Sequence, residues 1–102
     1  MARLVVLYKT PKDKAAFDRY YDTTHVPLAK KIPGLRQYDI SRGAVQTPAG
    51  PADVHLVATL SFDSVEAIAS GMGSPEGQAA AGDLANFADG GAELYMFETR
   101  DL

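Results

Sequence analysis

Residues 54–62, Val-His-Leu-Val-Ala-Thr-Leu-Ser-Phe, alternate strictly, with Val54, Leu56, Ala58, Leu60 and Phe62 on one side and His55, Val57, Thr59 and Ser61 on the other. A period of two describes a strand with one core face. The second face is mixed, as a surface covered by another subunit would be, and His55 is expected at the rim of that interface. Upstream, RLVVLY (3–8) is β-branched and aromatic and stops at Thr10 and Pro11, which reads as another strand. It is apolar on both sides, Val5 and Leu7 opposite Leu4, Val6 and Tyr8. Helices can cover one side; in so short a chain a second copy is the economical cover for the other.

Between these strands the spacing changes. From Asp13, Phe17, Tyr20, Tyr21, Thr24, His25 and Leu28 recur at three- and four-residue steps, while Asp18, Arg19 and Asp22 fill the opposite face. Pro27 lacks an N–H and pushes Val26 away from α geometry, so this helix is predicted to end or kink near His25, with a short irregular or helical turn running on to Ile32. After Pro33-Gly34, residues 35–42 form a second strand in which Tyr38 and Ile40 alternate with Gln37, Asp39 and Ser41. Residues 43–53 (GAVQTPAGPAD) have no apolar period and read as a mobile loop. Downstream, Asp63 or Ser64 can cap a helix carrying Val65, Ile68, Ala69 and Met72, which Gly71 and Gly73 end. Ser74-Pro75-Glu76 starts another, with Ala80, Ala81, Leu84 and Phe87 as its stripe, and Gly90-Gly91 breaks it. LYMF (94–97) is a last strand, apolar on both faces.

The order β-α-β-β-α-β predicts an α+β, ferredoxin-like domain over residues 1–102, with two helices on one face of a four-stranded antiparallel sheet. The bare second face would be a larger apolar patch than soluble monomers usually carry. Two sheets are therefore expected to pack face to face in a symmetric homodimer.

Composition bounds the chemistry. The chain has 102 residues, 46% hydrophobic and 23% charged, with a net charge of −3 and no cysteine. A domain of this size buries about 65% of its unfolded surface, enough for one core, so a large internal cleft would need a second copy. The lack of cysteine excludes disulfides, thiolate nucleophiles and zinc ribbons. The acidic balance argues against nucleic acid as a partner, since Lys30, Lys31 and Arg36 are the only close basic group. The longest apolar run, residues 4–8, is far short of the roughly 20 residues of a membrane span, and no charged-then-apolar leader opens the chain, so a cytoplasmic location is expected.

His25 is the residue best suited to chemistry, because only histidine has an unperturbed pKa that allows proton exchange near neutrality. Its place on the stripe of Phe17 and Tyr21 points it inward. The same spacing also suits a histidine that simply packs and bonds the end of its helix, and its own motif contains no clear charged partner. Tyr20 and Tyr21 diverge by about 100° on a helix, so they cannot readily line one pocket, and Tyr21 is the better placed beside His25. A tyrosine on such a stripe can equally be core with its hydroxyl reaching the surface. Tyr8, Tyr38, Tyr95 and Phe97 add aromatic surface suited to a flat, apolar ligand, though aromatics in strands are also ordinary core. Gly71-x-Gly73 follows a helix and fails the dinucleotide fingerprint, there is no phosphate loop, and the serines lack a nucleophile-elbow context. The two histidines stand 30 positions apart with no metal-ligand pattern beside them, so no metal is expected; a haem on His25 is required by nothing in the sequence.

The stretch AFDRYYDTTHVPLAKKIPGL (16–35), with its YY-x-x-T-H-x-P-L run followed by I-P-G-L and preceded by Tyr8-Lys9, resembles the EthD family of ethyl tert-butyl ether degradation proteins, in the dimeric α+β barrel superfamily. The resemblance implies a ferredoxin-like subunit that dimerises through its sheet, with a pocket near the first helix and His25 at the position of the family's histidine. Related barrels include cofactor-free monooxygenases, polyketide cyclases, lactone isomerases and haem enzymes, so the superfamily does not fix the reaction. The leading expectation is a cofactor-independent oxygenase, cyclase or isomerase acting on an apolar cyclic carbonyl or phenolic compound. His25 and Tyr21 would be catalytic, and Phe17, Leu28, Tyr8 and Tyr38 would bind the substrate. The rival is a non-catalytic homodimer that binds a small apolar metabolite or assists a partner oxygenase, as the family's founding member is thought to do.

Overall fold

Alternating burial and helical spacing are both realised in the computed structural model, which describes Met1 through Leu102. Its elements are β1 (Ala2–Tyr8), α1 (Lys14–Tyr20), a π-helical turn (Tyr21–His25), α2 (Val26–Ala29), β2 (Gln37–Ile40), β3 (Gln46–Thr47), β4 (Gly50–Pro51), β5 (Leu56–Phe62), α3 (Val65–Gly73), α4 (Pro75–Phe87) and β6 (Ala92–Glu98). β2, β5, β1 and β6 lie side by side in that order, all antiparallel. This is the ferredoxin-like arrangement.

Residues directly opposite across an antiparallel ladder share a face. Val6 lies between Ala58 and Leu94, and Tyr38 faces Leu60, so these residues lie on the helix-covered side with Leu4, Tyr8 and Phe62. The other face carries Val5, Leu7, Val57, Thr59, Tyr95 and Phe97, and no element of the chain covers it. Tyr95 is 51% and Phe97 44% exposed there.

The helices start where short polar side chains satisfy their first free N–H groups. Asp13 accepts from Ala16 N, and Ser64, not Asp63, accepts from Ala67 N. Asp63 instead forms a two-point ion pair with Arg36, at 3.1 and 2.8 Å. Ser74 closes α3 and opens α4, its hydroxyl donating to Gly71 O and accepting from Gly77 N. A Cβ on Gly77 would come within 2.1 Å of Gly71 O, so only glycine allows so tight a corner.

Two expectations need correction, and one resolves between its alternatives. Near His25 the first helix does not end. Pro27 supplies no N–H and its ring needs space beside the Thr23 carbonyl, and the helix widens just before it, the Val26 N–H reaching back five residues to Tyr21 O. The chain then continues into α2. Residues 43–53 are not a plain loop: Gln46 and Thr47 pair with Pro51 and Gly50 in a small hairpin closed by Thr47 Oγ1 donating to Gly50 O. On the helices, Thr24, Ala69 and Ala81 are exposed, whereas Asp83 is buried on the stripe of Ala80 and Phe87. The strands keep their predicted places, β2 and β5 starting two residues later than the sequence suggested and β6 extending beyond 94–97 at both ends.

Candidate functional site

The widened turn keeps Phe17, Tyr21 and His25 on one buried line although they are spaced four residues apart. His25 lies only 5% exposed between Tyr21 and Phe87, with ring centroids 5.2 and 4.7 Å away. Across from it, α4 presents Asp83, 6% exposed, whose Oδ2 lies 3.0 Å from His25 Nδ1. Asp83 is the charged partner that the motif around His25 lacks, supplied from 58 residues away.

Asp83 Oδ1 accepts from the Tyr20 hydroxyl at 2.6 Å and from Asn86 Nδ2 at 2.9 Å. Burial opposes its ionisation, but the bonds from Tyr20, Asn86 and His25 outweigh that cost and hold the carboxyl below its ordinary range. Burial lowers the pKa of His25 from its ordinary value, Asp83 pulling only partly the other way. The pair at neutral pH is therefore a carboxylate and a neutral imidazole, with Nδ1–H donating to Asp83 and Nε2 left as a free base. No protein group bonds Nε2.

Beyond the imidazole lies a small apolar pocket with a cavity volume of about 30 Å³, walled by Tyr8, Tyr21, Tyr38, Met72, Leu84 and Leu94 among others. That is room for about one water molecule in the single chain. The hydroxyls of Tyr21 and Tyr38 are hydrogen-bonded to each other. Burial raises the pKa of both, and of Tyr8, so all three stay neutral phenols. Such a cluster donates hydrogen bonds and does not act as a base.

The structure thus brings His25, Tyr21, Tyr8 and Tyr38 around one pocket. Phe17 instead packs in the core and edges a separate groove, and Leu28 is half-buried away from both. Tyr20 does not share the pocket with Tyr21, but it reaches the same network from the other side of the helix. His55 is not on the open sheet face. Its ring packs against Phe17 of α1, with Nε2 2.7 Å from Asp18 Oδ1. Sequence reasoning missed Asp83, and the signal for it was present: it lies three residues after Ala80 and four before Phe87, and a carboxylate on an apolar stripe demands a partner.

No group of three or more His, Cys, Asp or Glu side chains converges in a way that could hold a metal ion, and no helix is long and apolar enough to cross a membrane.

The sequence matches the model of the EthD domain over residues 9–91. It is 37% identical over 96 residues to an uncharacterized 11.0 kDa protein of Rhodococcus erythropolis from the thcB-thcC intergenic region, covering 94% of this chain and 92% of that one. The crystal structure of an EthD family protein from Bacillus halodurans superposes with a TM-score of 0.89 at 36% identity, over 98% of this chain and 99% of the other. At 17% identity the fold is shared with a dimeric ferredoxin-like protein from Thermobifida fusca, TM-score 0.69, over 96% and 90% of the two chains. With the YY-x-x-T-H-x-P-L run on its first helix and a sheet and helices that superpose on an EthD structure, the chain belongs to the EthD family.

Proposed function

We propose that this EthD-family chain is a cofactor-independent acid–base protein acting on an apolar cyclic carbonyl or phenolic compound. The observation that carries the reading is the buried His25–Asp83 pair with Nε2 free beside an apolar pocket. Nε2 takes a proton from an acidic C–H or O–H of the substrate, and the electron pair stays behind as an enolate or phenolate. Asp83 fixes the tautomer and stabilises the imidazolium that forms. Either hydroxyl of the Tyr21–Tyr38 bond can be the donor, and in the arrangement where Tyr38 donates to Tyr21 the Tyr21 proton is free to meet the new oxyanion. Returning the proton to another atom isomerises the substrate, attack of the carbanion on a second carbonyl closes a ring, and dioxygen as co-reactant would give an oxygenase.

The working unit is proposed to be a homodimer. Six apolar or weakly polar side chains on the open sheet face have no cover within the chain, and a second copy of the same face removes them from water.

The water-sized pocket favours one second reading, a non-catalytic homodimer that supports a partner oxygenase. Incubating the purified protein alone with quinones, phenolic polyketides and small cyclic ketones separates the two. Turnover that falls about 10²- to 10⁴-fold in His25→Ala supports the acid–base reading. Full activity in His25→Ala overturns it, and turnover only on adding an oxygenase supports the second.

A further inference from the structure

Tyr20 and His25 lie five residues apart on the first helical segment, and both bond the same carboxylate. At about 100° per residue, positions five apart on an α-helix point about 140° away from each other, onto different faces. The π-helical turn takes an extra residue into the turn, the Val26 N–H reaching back to Tyr21 O, and brings both side chains to the side that faces α4. There they divide Asp83 between them: the Tyr20 hydroxyl donates to Oδ1 at 2.6 Å and the imidazole to Oδ2 at 3.0 Å.

The bond from Tyr20 is the shortest that Asp83 accepts, in the range of a hydroxyl donor on a charged carboxylate. That bond, ahead of burial, raises the pKa of Tyr20, so the phenol keeps its proton and remains the donor. Its ring stacks on Phe87 with centroids 5.4 Å apart, and Phe87 packs on His25 at 4.7 Å, so one side chain braces both ends of the clamp. Asn86, the other donor to Oδ1, lies three residues along α4 and moves with Asp83, whereas Tyr20 ties the carboxylate to the helix that carries His25. The other titratable groups around the imidazole are Tyr8 of β1, Tyr21 of its own helix and Tyr38 of β2, all neutral phenols, so Asp83 is the one charge that faces it. Whatever loads the outer oxygen of Asp83 is therefore felt at His25: a donor on Oδ1 draws charge from Oδ2 and weakens its hold on Nδ1–H.

We propose that Tyr20 is the positioning residue of the pair, acting from the opposite oxygen of Asp83 to set how strongly the carboxylate holds the imidazole. The inference deepens the acid–base reading of His25 and rests on it for any effect on turnover.

NMR titration of the His25 ring in the wild type, Tyr20→Phe and Asp83→Asn tests this without a substrate. Tyr20→Phe keeps the stack on Phe87 and removes only the hydroxyl. Oδ2 is then the stronger acceptor, and His25 is expected to titrate at higher pH than in the wild type. Asp83→Asn removes the charge and should move the titration the opposite way. Asn86→Ala, at an exposed position, unloads the same oxygen and is expected to shift the ring in the same direction as Tyr20→Phe, by less. An unchanged or lowered titration in Tyr20→Phe overturns the inference, even where its melting temperature falls; should that variant not fold, the same result in Asn86→Ala does so. Absence of turnover with every compound tried would sink the acid–base reading and leave the shift standing, whereas turnover that needs His25 with no shift in Tyr20→Phe would do the reverse.

Discussion

Asp83 and His25 are two side chains whose removal should be felt in both stability and chemistry, and the two effects can be separated. Asp83→Ala leaves the Tyr20 hydroxyl, the Asn86 amide and His25 Nδ1–H without their acceptor, and the expected loss is about 3 kcal/mol in a denaturant titration. Asp83→Asn keeps an acceptor for Tyr20 but cannot hold the imidazolium, so its cost should fall on turnover more than on folding. The pH dependence follows from the direction of the shifts. His25 binds its proton less readily folded than unfolded, where the ordinary value is 6.5. Below about pH 6.5 the unfolded chain therefore takes up more protons, and stability falls as the pH is lowered. Asp83, also lowered, adds a loss of the same sign once the pH falls below its ordinary 3.8. The drop in unfolding free energy between pH 7.5 and pH 5 should shrink in His25→Gln; an unchanged drop would mean that other groups carry it.

At the level of elements, the π-helical turn and the α3–α4 corner set the site. Pro27→Ala restores an N–H and removes the ring from beside the Thr23 carbonyl. The turn is then expected to tighten toward α geometry and swing His25 away from Asp83, which the imidazole NMR signals would report as a change in titration at nearly unchanged melting temperature. Gly77→Ala forces a Cβ against Gly71 O and should cost about 2 kcal/mol, measured by chemical denaturation. How these elements read from sequence depended on the range of the forces involved. The strand at 56–62 was legible because its alternation is local, and the caps at Ser64 and Ser74 because the N–H groups they bond lie three residues away. The stripe of Phe17, Tyr21 and His25 was equally legible, with Tyr8 and Tyr38 as neighbours. The continuation through Pro27 was not, since proline ends or widens a helix according to what packs around it. Nor was the His25–Asp83 pair, because the partner lies on another helix and only the fold joins them. His55 was misplaced for the same reason: its parity follows β5, but the strand starts one residue later, and Asp18 and Phe17 take the side chain.

For the whole molecule, the test is the open sheet face. Phe97→Asp places a charge on a side chain that is already half exposed in the single chain, so folding should survive while the proposed dimer weakens by at least about thirtyfold, seen by sedimentation equilibrium. A wild-type protein that sediments as a monomer at high micromolar concentration would remove the dimer from the picture. The Ser74 corner has a mechanical side as well. With no linker between α3 and α4, Ser74 is a pivot, and Asp83 rides nine residues along the arm. At a rise of about 1.5 Å per residue the arm is about 13 Å long, so a tilt of about 5° carries the carboxylate about 1 Å. That travel is enough to part a 3.0 Å contact with the imidazole. The spacing of the His25–Asp83 pair is therefore geared to the angle between α3 and α4.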